Sequence, residues 1–364
     1  MEYRIHPKTG DRISVIGIGT GPIYEAPEKE AAAALTYAHE QGINYADFAT
    51  AGAETFRYAG LAFASVRKEM LYQVHFGADY ETGEYGWTTS LDKVKSQVDW
   101  QLKELKTDYI DFGFIHCLDS EDDWNQYQKN GVLDYLLEMK KSGVVRHIGL
   151  STHTPELAQK ILDIGLVEQL MFSINPAYDY QHGEFAIGSA DERMKLYRRC
   201  EAEGIGISVM KPYSGGQLLD ERTSPFGKAL TEAQCIQYAL DKPGVLTVLP
   251  GIRNLDDVKR ALTWLDAAPE EKDYSALGDY TPKDAVGTCV YCSHCHPCPA
   301  GLNIALINKY YDLAAIGDSM AADHYEKLPK HASECIGCGH CDRRCPFHVA
   351  QSERMKEIAA YFGK

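Results

Sequence analysis

The chain has 364 residues, 45% of them apolar and 24% charged, with a net charge of −15 at pH 7; this is the composition of a globular protein large enough for an α/β domain and a smaller companion. No run approaches the roughly 18 apolar residues of a membrane span, and the acidic balance argues against a phosphate backbone, so neither a membrane nor nucleic acid is expected as a partner. The first residues, MEYRIHPKTGDRIS, lack the apolar core and cleavage site of a secretory signal, which leads to the expectation of a cytoplasmic protein.

YRIHPKTGDRIS has two short extended runs around a Pro, Lys, Thr and Gly turn and reads as a hairpin. Short β-branched and apolar runs then alternate with amphipathic segments. Strands are expected at ISVIGIG (13–19), INYAD (43–47), LYQVHF (71–76), YIDFGFIH (109–116), HIGLS (147–151), LMFSIN (170–175), IGISVM (205–210) and VLTVLP (245–250). In SLDKVKSQVDWQLKELK, Leu91, Val94, Val98, Leu102 and Leu105 recur every three or four residues and make one buried helix stripe. Eight such pairs within residues 1–267 predict an α/β fold of the (β/α)8 TIM-barrel type. GIGTGP follows a strand but is not G-x-G-x-x-G, so the open-sheet dinucleotide fingerprint is absent. The polar stretch 268–287 is expected to be a linker.

Residues 288–364 hold eight of the eleven cysteines, and Cys117, Cys200 and Cys235 read as small buried apolar residues. Cys289, Cys292, Cys295 and Cys298-Pro299 form one set, and Cys335, Cys338, Cys341 and Cys345-Pro346 the other. Three thiolates at i, i+3 and i+6 reach three irons of one cubane, while the thiolate before proline ligates the other cluster. The expectation is a mainly α-helical, ferredoxin-like domain with two [4Fe-4S] clusters, one on Cys289, Cys292, Cys295 and Cys345, the other on Cys335, Cys338, Cys341 and Cys298. Structural zinc, the competing reading, normally uses separated pairs. His294, His296, His340 and His348 are expected to bond the surroundings of the clusters rather than replace a thiolate.

Catalytic groups of such a barrel sit at the C-terminal ends of its strands. Those positions carry Asp47, His75, His116, Ser151-Thr152-His153, Asn175 and Lys211, and GIRNLDDVKR after the eighth strand opens a helix with Gly251, Arg253 and Asn254. With these stretches, with SGVVRHIGLSTHT and ISVMKPYSGGQLL, and with both cysteine sets, the chain resembles the aldo-keto reductase family, in its branch carrying a C-terminal ferredoxin-like domain. The resemblance implies an oxidoreductase that moves a hydride between NADP(H) or NAD(H) and a carbonyl, using an Asp, Tyr, Lys and His tetrad. Asp47 and His116 match that tetrad, whereas its tyrosine falls on Gly52 and its lysine on His75. Ser151 matches a nicotinamide-contacting serine, the glutamine near the sixth strand is replaced by Ser173, and Lys211 stands where glutamate is common. The cofactor residues implied are Ser151, Asn175, Gly251, Arg253 and Asn254, the last three placing helix amides and a guanidinium toward a cofactor phosphate.

Losing the tyrosine removes a general acid, and Asp47, His75 and His116, on neighbouring strands, can form an acid/base group in its place. Strand capping and a metal site are the alternatives for these three. Lys211 can bind a substrate carboxylate or phosphate or donate a proton, and Tyr45, Tyr58 and Tyr213 lie near strand ends. The expected function is an iron-sulfur oxidoreductase acting on a small carbonyl, hydroxyl or unsaturated compound, sugar-like ones included, with NAD(P)H, a ferredoxin- or flavodoxin-type electron partner, or both. A redox-neutral lyase or isomerase with structural clusters, and a barrel-bearing electron carrier, are the other two readings.

Overall fold

The computed structural model describes residues 1–183, 185–275, 277, 286–291, 295–315, 318–345 and 347–364. Cys292, His294, Pro346 and much of the expected linker lie outside the described residues. In chain order the strands are β1 (Tyr3–Ile5), β2 (Arg12–Ser14), β3 (Ile18–Gly19), β4 (Tyr45–Asp47), β5 (Leu71–Phe76), β6 (Ala78–Asp79), β7 (Gly86–Trp87), β8 (Ile110–Ile115), β9 (Val145–Ser151), β10 (Gln169–Ser173), β11 (Gly206–Met210) and β12 (Val245–Val248). The helices are α1 (Glu28–Glu40), α2 (Glu54–Ala62), α3 (Leu91–Glu104), α4 (Glu121–Lys129), α5 (Val132–Lys141), α6 (Pro155–Leu162), α7 (Pro176–Asp179), α8 (Ala190–Ala202), α9 (Glu232–Leu240), α10 (Leu255–Asp266), α11 (Ile304–Ala315), α12 (Ser319–Glu326), α13 (His340–Arg344) and α14 (Gln351–Phe362). They group into two compact units: residues 1–174, 205–213 and 246–267, and residues 175–204, 214–245 and 268–364.

In the first unit, β3, β4, β5, β8, β9, β10, β11 and β12 are neighbours in that order in one sheet. Parallel bridges Ile16↔Val248 and Gly19↔Gly251 join its ends and close the barrel. Closure needs glycine at 19, where a Cβ would lie 2.7 Å from the Pro250 carbonyl oxygen. The first expected strand divides in the structure. Ile13 and Ser14 belong to the antiparallel β1–β2 hairpin, with Tyr3 opposite Ser14, and the barrel strand shrinks to Ile18–Gly19. Inside the barrel, Ile13, Tyr45, Phe112, Phe114, Met171, Leu246 and Leu249 pack as one apolar cluster, each large side chain contributing about 1.5–3 kcal/mol by burial. Helix α3 buries Val94, Gln97, Val98 and Gln101, and Leu105 just beyond it is buried too, whereas Leu91 and Leu102 of the expected stripe are only half-buried.

The second unit has its own core, in which Leu302, Ile304, Ile307, Tyr325, Met355 and Ile358 pack with Cys295 and Cys341. Asp312 of α11 is an anchor there. It accepts from the Tyr291 hydroxyl at 2.6 Å and from Arg198 at 3.0 Å, and pairs with Arg354.

Candidate functional site

At the C-terminal ends of β4, β5 and β8 the structure brings Asp47, His75 and His116 into one hydrogen-bonded file. His75 Nε2 lies 2.7 Å from Asp47 Oδ1, and His75 Nδ1 lies 2.9 Å from His116 Nδ1. The parallel register that sets His75 beside Phe114 of β8 and Asp47 beside Gln73 of β5 makes this approach unavoidable. All three are buried, at 3%, 1% and 3% exposure for Asp47, His75 and His116. Gln73 steadies the carboxylate from below. Its amide donates to Asp47 Oδ1 at 2.8 Å, while its oxygen accepts from the Tyr45 and Ser208 hydroxyls at 2.7 and 2.9 Å. Burial, and then the neighbouring His75 and His153, push the His116 imidazole well below its ordinary pKa and keep it neutral.

The file continues outward to a residue that reading the sequence missed. The Tyr85 hydroxyl lies 2.9 Å from His116 Nε2, while Tyr45 is bonded to Gln73 inside the barrel and Tyr58 is buried in α2. Tyr85 adjoins β7, which pairs with β6, and its hairpin is stitched to the loop after β4. The Tyr85 amide donates to the Ala51 carbonyl, the Ala53 amide to that of Gly83, each at 2.9 Å, and Gly52 bridges Glu84. Burial, and then Cys117 and Asp119, raise the Tyr85 phenol far above its ordinary pKa and keep its proton in place. Gly52, where the resemblance places a tyrosine, has no room for a side chain. A Cβ there would lie 2.5 Å from Cγ and 2.7 Å from Cβ of Tyr24. The only legible signal for Tyr85 is an aromatic pair, Tyr85 and Trp87, flanking glycine after the turn YETG.

Lys211 is not part of this file. Its Nζ lies 2.9 Å from His153 Nε2, and His153 Nδ1 lies 2.9 Å from Asp119 Oδ2. Burial opposes ionisation of Asp119, yet the His153 bonds prevail and hold its carboxyl below the usual range. Cys117, Asp119 and His153 offer ligand atoms within 4.8 Å of one another, but the Lys211 ammonium beside them argues against a cation there. Burial, then Asp119, push the Cys117 thiol up to about 11, with Lys211 pulling the other way. Cys117 and Lys211 both hold left-handed backbone, at φ 48° and 54°, the local strain that functional loops concentrate.

Ser151 is buried and its hydroxyl accepts from the Cys117 amide at 3.0 Å. Asn175, in the second unit, caps α7 by accepting from the Tyr178 amide. Gly251 approaches Gly19 at the barrel closure, and Asn254 caps α10. The Arg253 and Arg260 guanidiniums both contact Asp257 in the first turn of α10.

In the second unit one cavity is lined by Cys298, Cys335, Cys338 and Cys341, together with His340 and Met355. Among the described residues His340 Nε2 is buried with no hydrogen-bond partner, so its ring is free to bond a cluster held in this cavity. Gln351 Nε2 lies 3.6 Å from Cys289 Sγ, and the Val349 amide 3.4 Å from Cys345 Sγ. The ten described cysteines form no disulfide with one another. Four convergent thiols around one cavity fit an iron-sulfur cluster.

Residues 15–234 match the model of the Aldo/keto reductase family, and residues 285–349 that of the 4Fe-4S dicluster domain. An uncharacterised oxidoreductase of Bacillus subtilis, YqkF, is 24% identical over 75% of this chain and 94% of its own length. The L-glyceraldehyde 3-phosphate reductase of Escherichia coli K12 is 23% identical over 73% of this chain and 80% of its own. Among solved structures, the aldo-keto reductase AKR11C1 of Bacillus halodurans superposes with a TM-score of 0.62 at 22% identity, over 77% of this chain and 96% of its own. No helix among the described residues is long and apolar enough to cross a membrane.

Proposed function

Because the chain belongs to the aldo/keto reductase family and carries a C-terminal 4Fe-4S dicluster domain, we propose that this oxidoreductase interconverts a short hydroxy-carbonyl compound and its alcohol. The observation that carries the reading is the buried file of Asp47, His75 and His116 at the strand ends of the barrel, a proton-handling group at the end where barrels of this type carry their chemistry. A relative named for L-glyceraldehyde 3-phosphate, and an Arabidopsis relative named L-galactose dehydrogenase, support a polyhydroxy substrate. Lys211, an ammonium at the end of β11, supports one with a carboxylate or phosphate.

A nicotinamide dinucleotide, when bound, supplies or takes the hydride. Arg253 and Arg260 set two guanidiniums beside Asp257 in the first turn of α10, which also carries Asp256, and with the helix amides they are the proposed site for a cofactor phosphate. Ser151 remains the proposed contact for the nicotinamide end. In the second unit Cys298, Cys335, Cys338 and Cys341 would hold one cluster, and Cys289, Cys292, Cys295 and Cys345 the other. The clusters exchange electrons singly, so a ferredoxin- or flavodoxin-type carrier is the proposed protein partner. Within the barrel, His75 and His116 move a proton to and from Asp47, which Gln73 holds in place. The redox-neutral lyase or isomerase reading finds no support among relatives named as oxidoreductases, reductases and dehydrogenases.

The test uses anaerobically purified protein with DL-glyceraldehyde and DL-glyceraldehyde 3-phosphate, following oxidation of NADPH or NADH and the cluster absorbance near roughly 400 nm, characteristic of cubanes with thiolate ligation. Carbonyl-dependent oxidation of nucleotide, or of dithionite-reduced clusters, supports the proposal. Elimination of water from these compounds with no redox change overturns it.

A further inference from the structure

We propose that Tyr85 is the catalytic residue that exchanges a proton with the substrate oxygen, as the outer end of a four-member relay Tyr85–His116–His75–Asp47. This inference rests on the carbonyl–alcohol reaction proposed above. Three consecutive contacts make up the relay: 2.9 Å from the phenol to His116 Nε2, 2.9 Å between the two Nδ1 atoms and 2.7 Å from His75 Nε2 to Asp47. Its inner members are buried to within 3% exposure, whereas Tyr85 is 41% exposed. The relay therefore leads from a partly exposed tyrosine to a carboxylate sealed inside the barrel.

The contact between two Nδ1 atoms restricts the protons severely, because it is a hydrogen bond only when one of the two carries hydrogen. With Asp47 as carboxylate, His75 Nε2–H donates to it, His75 Nδ1 accepts from His116 Nδ1–H, and His116 Nε2 accepts from the Tyr85 hydroxyl. The phenol oxygen then faces outward as a base. Adding one proton at Asp47 reverses every link: His75 Nδ1–H donates to His116, His116 Nε2–H donates to the phenol oxygen, and the phenol hydrogen points out as an acid. The same four residues thus serve both directions of the reaction. In oxidation the substrate hydroxyl proton passes to the Tyr85 oxygen as the C–H hydride leaves for an oxidised nicotinamide; each member hands on one proton and Asp47 ends as the acid. In reduction, with the hydride for the carbonyl carbon supplied by a reduced nicotinamide, Tyr85 would protonate the oxygen and Asp47 would end as the carboxylate.

Position supports the role as much as connectivity does. Backbone bonds fix Tyr85 to Ala51, one residue before Gly52, so a neighbouring hairpin delivers a phenol beside the place that Tyr24 denies to a side chain at 52. The raised phenol pKa and lowered His116 pKa keep both links in the protonation states this polarity needs.

The experiment compares wild type, Tyr85→Phe and His75→Ala as cluster-loaded protein, with NADPH and DL-glyceraldehyde and with NADP and glycerol. Tyr85→Phe keeps the ring and loses the proton, so kcat falls by at least about 100-fold in both directions while KM stays within about threefold. If Tyr85→Phe keeps wild-type kcat while His75→Ala is inactive, this inference falls and the proposed function stands. If wild type itself turns over neither pair, the function is at fault, and the relay is judged by the ¹⁵N shift of His116 Nε2. Movement of that shift toward the unbonded value in Tyr85→Phe upholds the relay, and an unchanged shift overturns it. Should Tyr85→Phe not fold, Tyr85→Leu carries the same readouts: a fall in kcat of at least about 100-fold upholds the role, and wild-type kcat overturns it.

Discussion

Replacing Asp47 with asparagine separates the chemistry of the relay from its architecture. Asp47 Oδ1 accepts from His75 Nε2 at 2.7 Å and from Gln73 Nε2 at 2.8 Å, and an asparagine oxygen accepts both in the same geometry. Each bond to a charged acceptor contributes about 1.5–3 kcal/mol, against about 0.5–1.5 kcal/mol for a neutral one, so the exchange forfeits about 2 kcal/mol in all. Removing a buried charge recovers part of that through relieved desolvation. The net loss is then about 1 kcal/mol, a shift of a few degrees at most in the thermal midpoint. An amide, however, takes no proton, so the relay cannot reverse and kcat falls by at least about 100-fold, equivalent to about 2.7 kcal/mol of barrier. Calorimetry measures the first quantity and initial rates with NADPH and DL-glyceraldehyde the second. A variant that melts near wild type and keeps its kcat within threefold would show that the file of side chains is only a scaffold.

Three further outcomes test other parts of the reading. Gly52→Tyr alone is expected to destabilise the protein, because its Cβ meets Tyr24 ring and backbone-proximal atoms at 2.5–2.7 Å, at a cost of about 1–3 kcal/mol; adding Tyr24→Gly should recover most of it, and equal midpoints for the single variant and wild type would refute the steric account. Burial lowers the pKa of His147, but hydrogen bonds to Asp11 and Glu168 outweigh it and raise it from 6.5 to about 9, against an opposing, lowered His6. A raised histidine stabilises fully below pH 6.5 and loses that contribution as pH climbs through 9, so about 2 kcal/mol of stability should vanish across this window, and His147→Gln should flatten the slope; an unaltered slope would contradict it. For the clusters, the double variant Cys298→Ala/Cys338→Ala strikes two residues that line one cavity and should leave about four of about eight irons bound; loss of nearly all iron would mean that the two thiols serve different clusters.

Most of the barrel was legible because its longer strands show their apolar, β-branched runs; LYQVHF forms a strand over its full length as β5. The first strand was read too long. Ile13 has the same apolar, β-prone character as Ile16 and Ile18, and only the pairing of Ile13 and Ser14 with Arg4 and Tyr3 assigns them to the hairpin. That Asp47, His75 and His116 come together was legible because they lie at the ends of neighbouring strands, a rule that needs no side-chain geometry. Lys211 obeyed the same rule, yet its His153 partner depends on a left-handed turn that no spacing announces. Tyr85 escaped because β7 is two residues long and carries no periodicity. Its placement comes from backbone bonds to a loop some 30 residues earlier.

The departures from the family tetrad are best understood as one coupled change rather than several losses. A tyrosine at 52 needs the space that Tyr24 fills. A lysine at 75 would offer Asp47 an ammonium and present only donors to His116 Nδ1 in place of the His75 Nδ1 that it meets at 2.9 Å. That would hold His116 Nδ1 as an acceptor and leave only Nε2–H toward the Tyr85 oxygen, so the relay could not reverse. Positions 24, 52, 75 and 85 therefore constrain one another through sterics on one side and hydrogen-bond polarity on the other. Any single reversion toward the tetrad should lower activity, even though each installs a residue that the family uses, and only a variant that changes 24, 52 and 75 together has the room and the proton order to work through a phenol at 52.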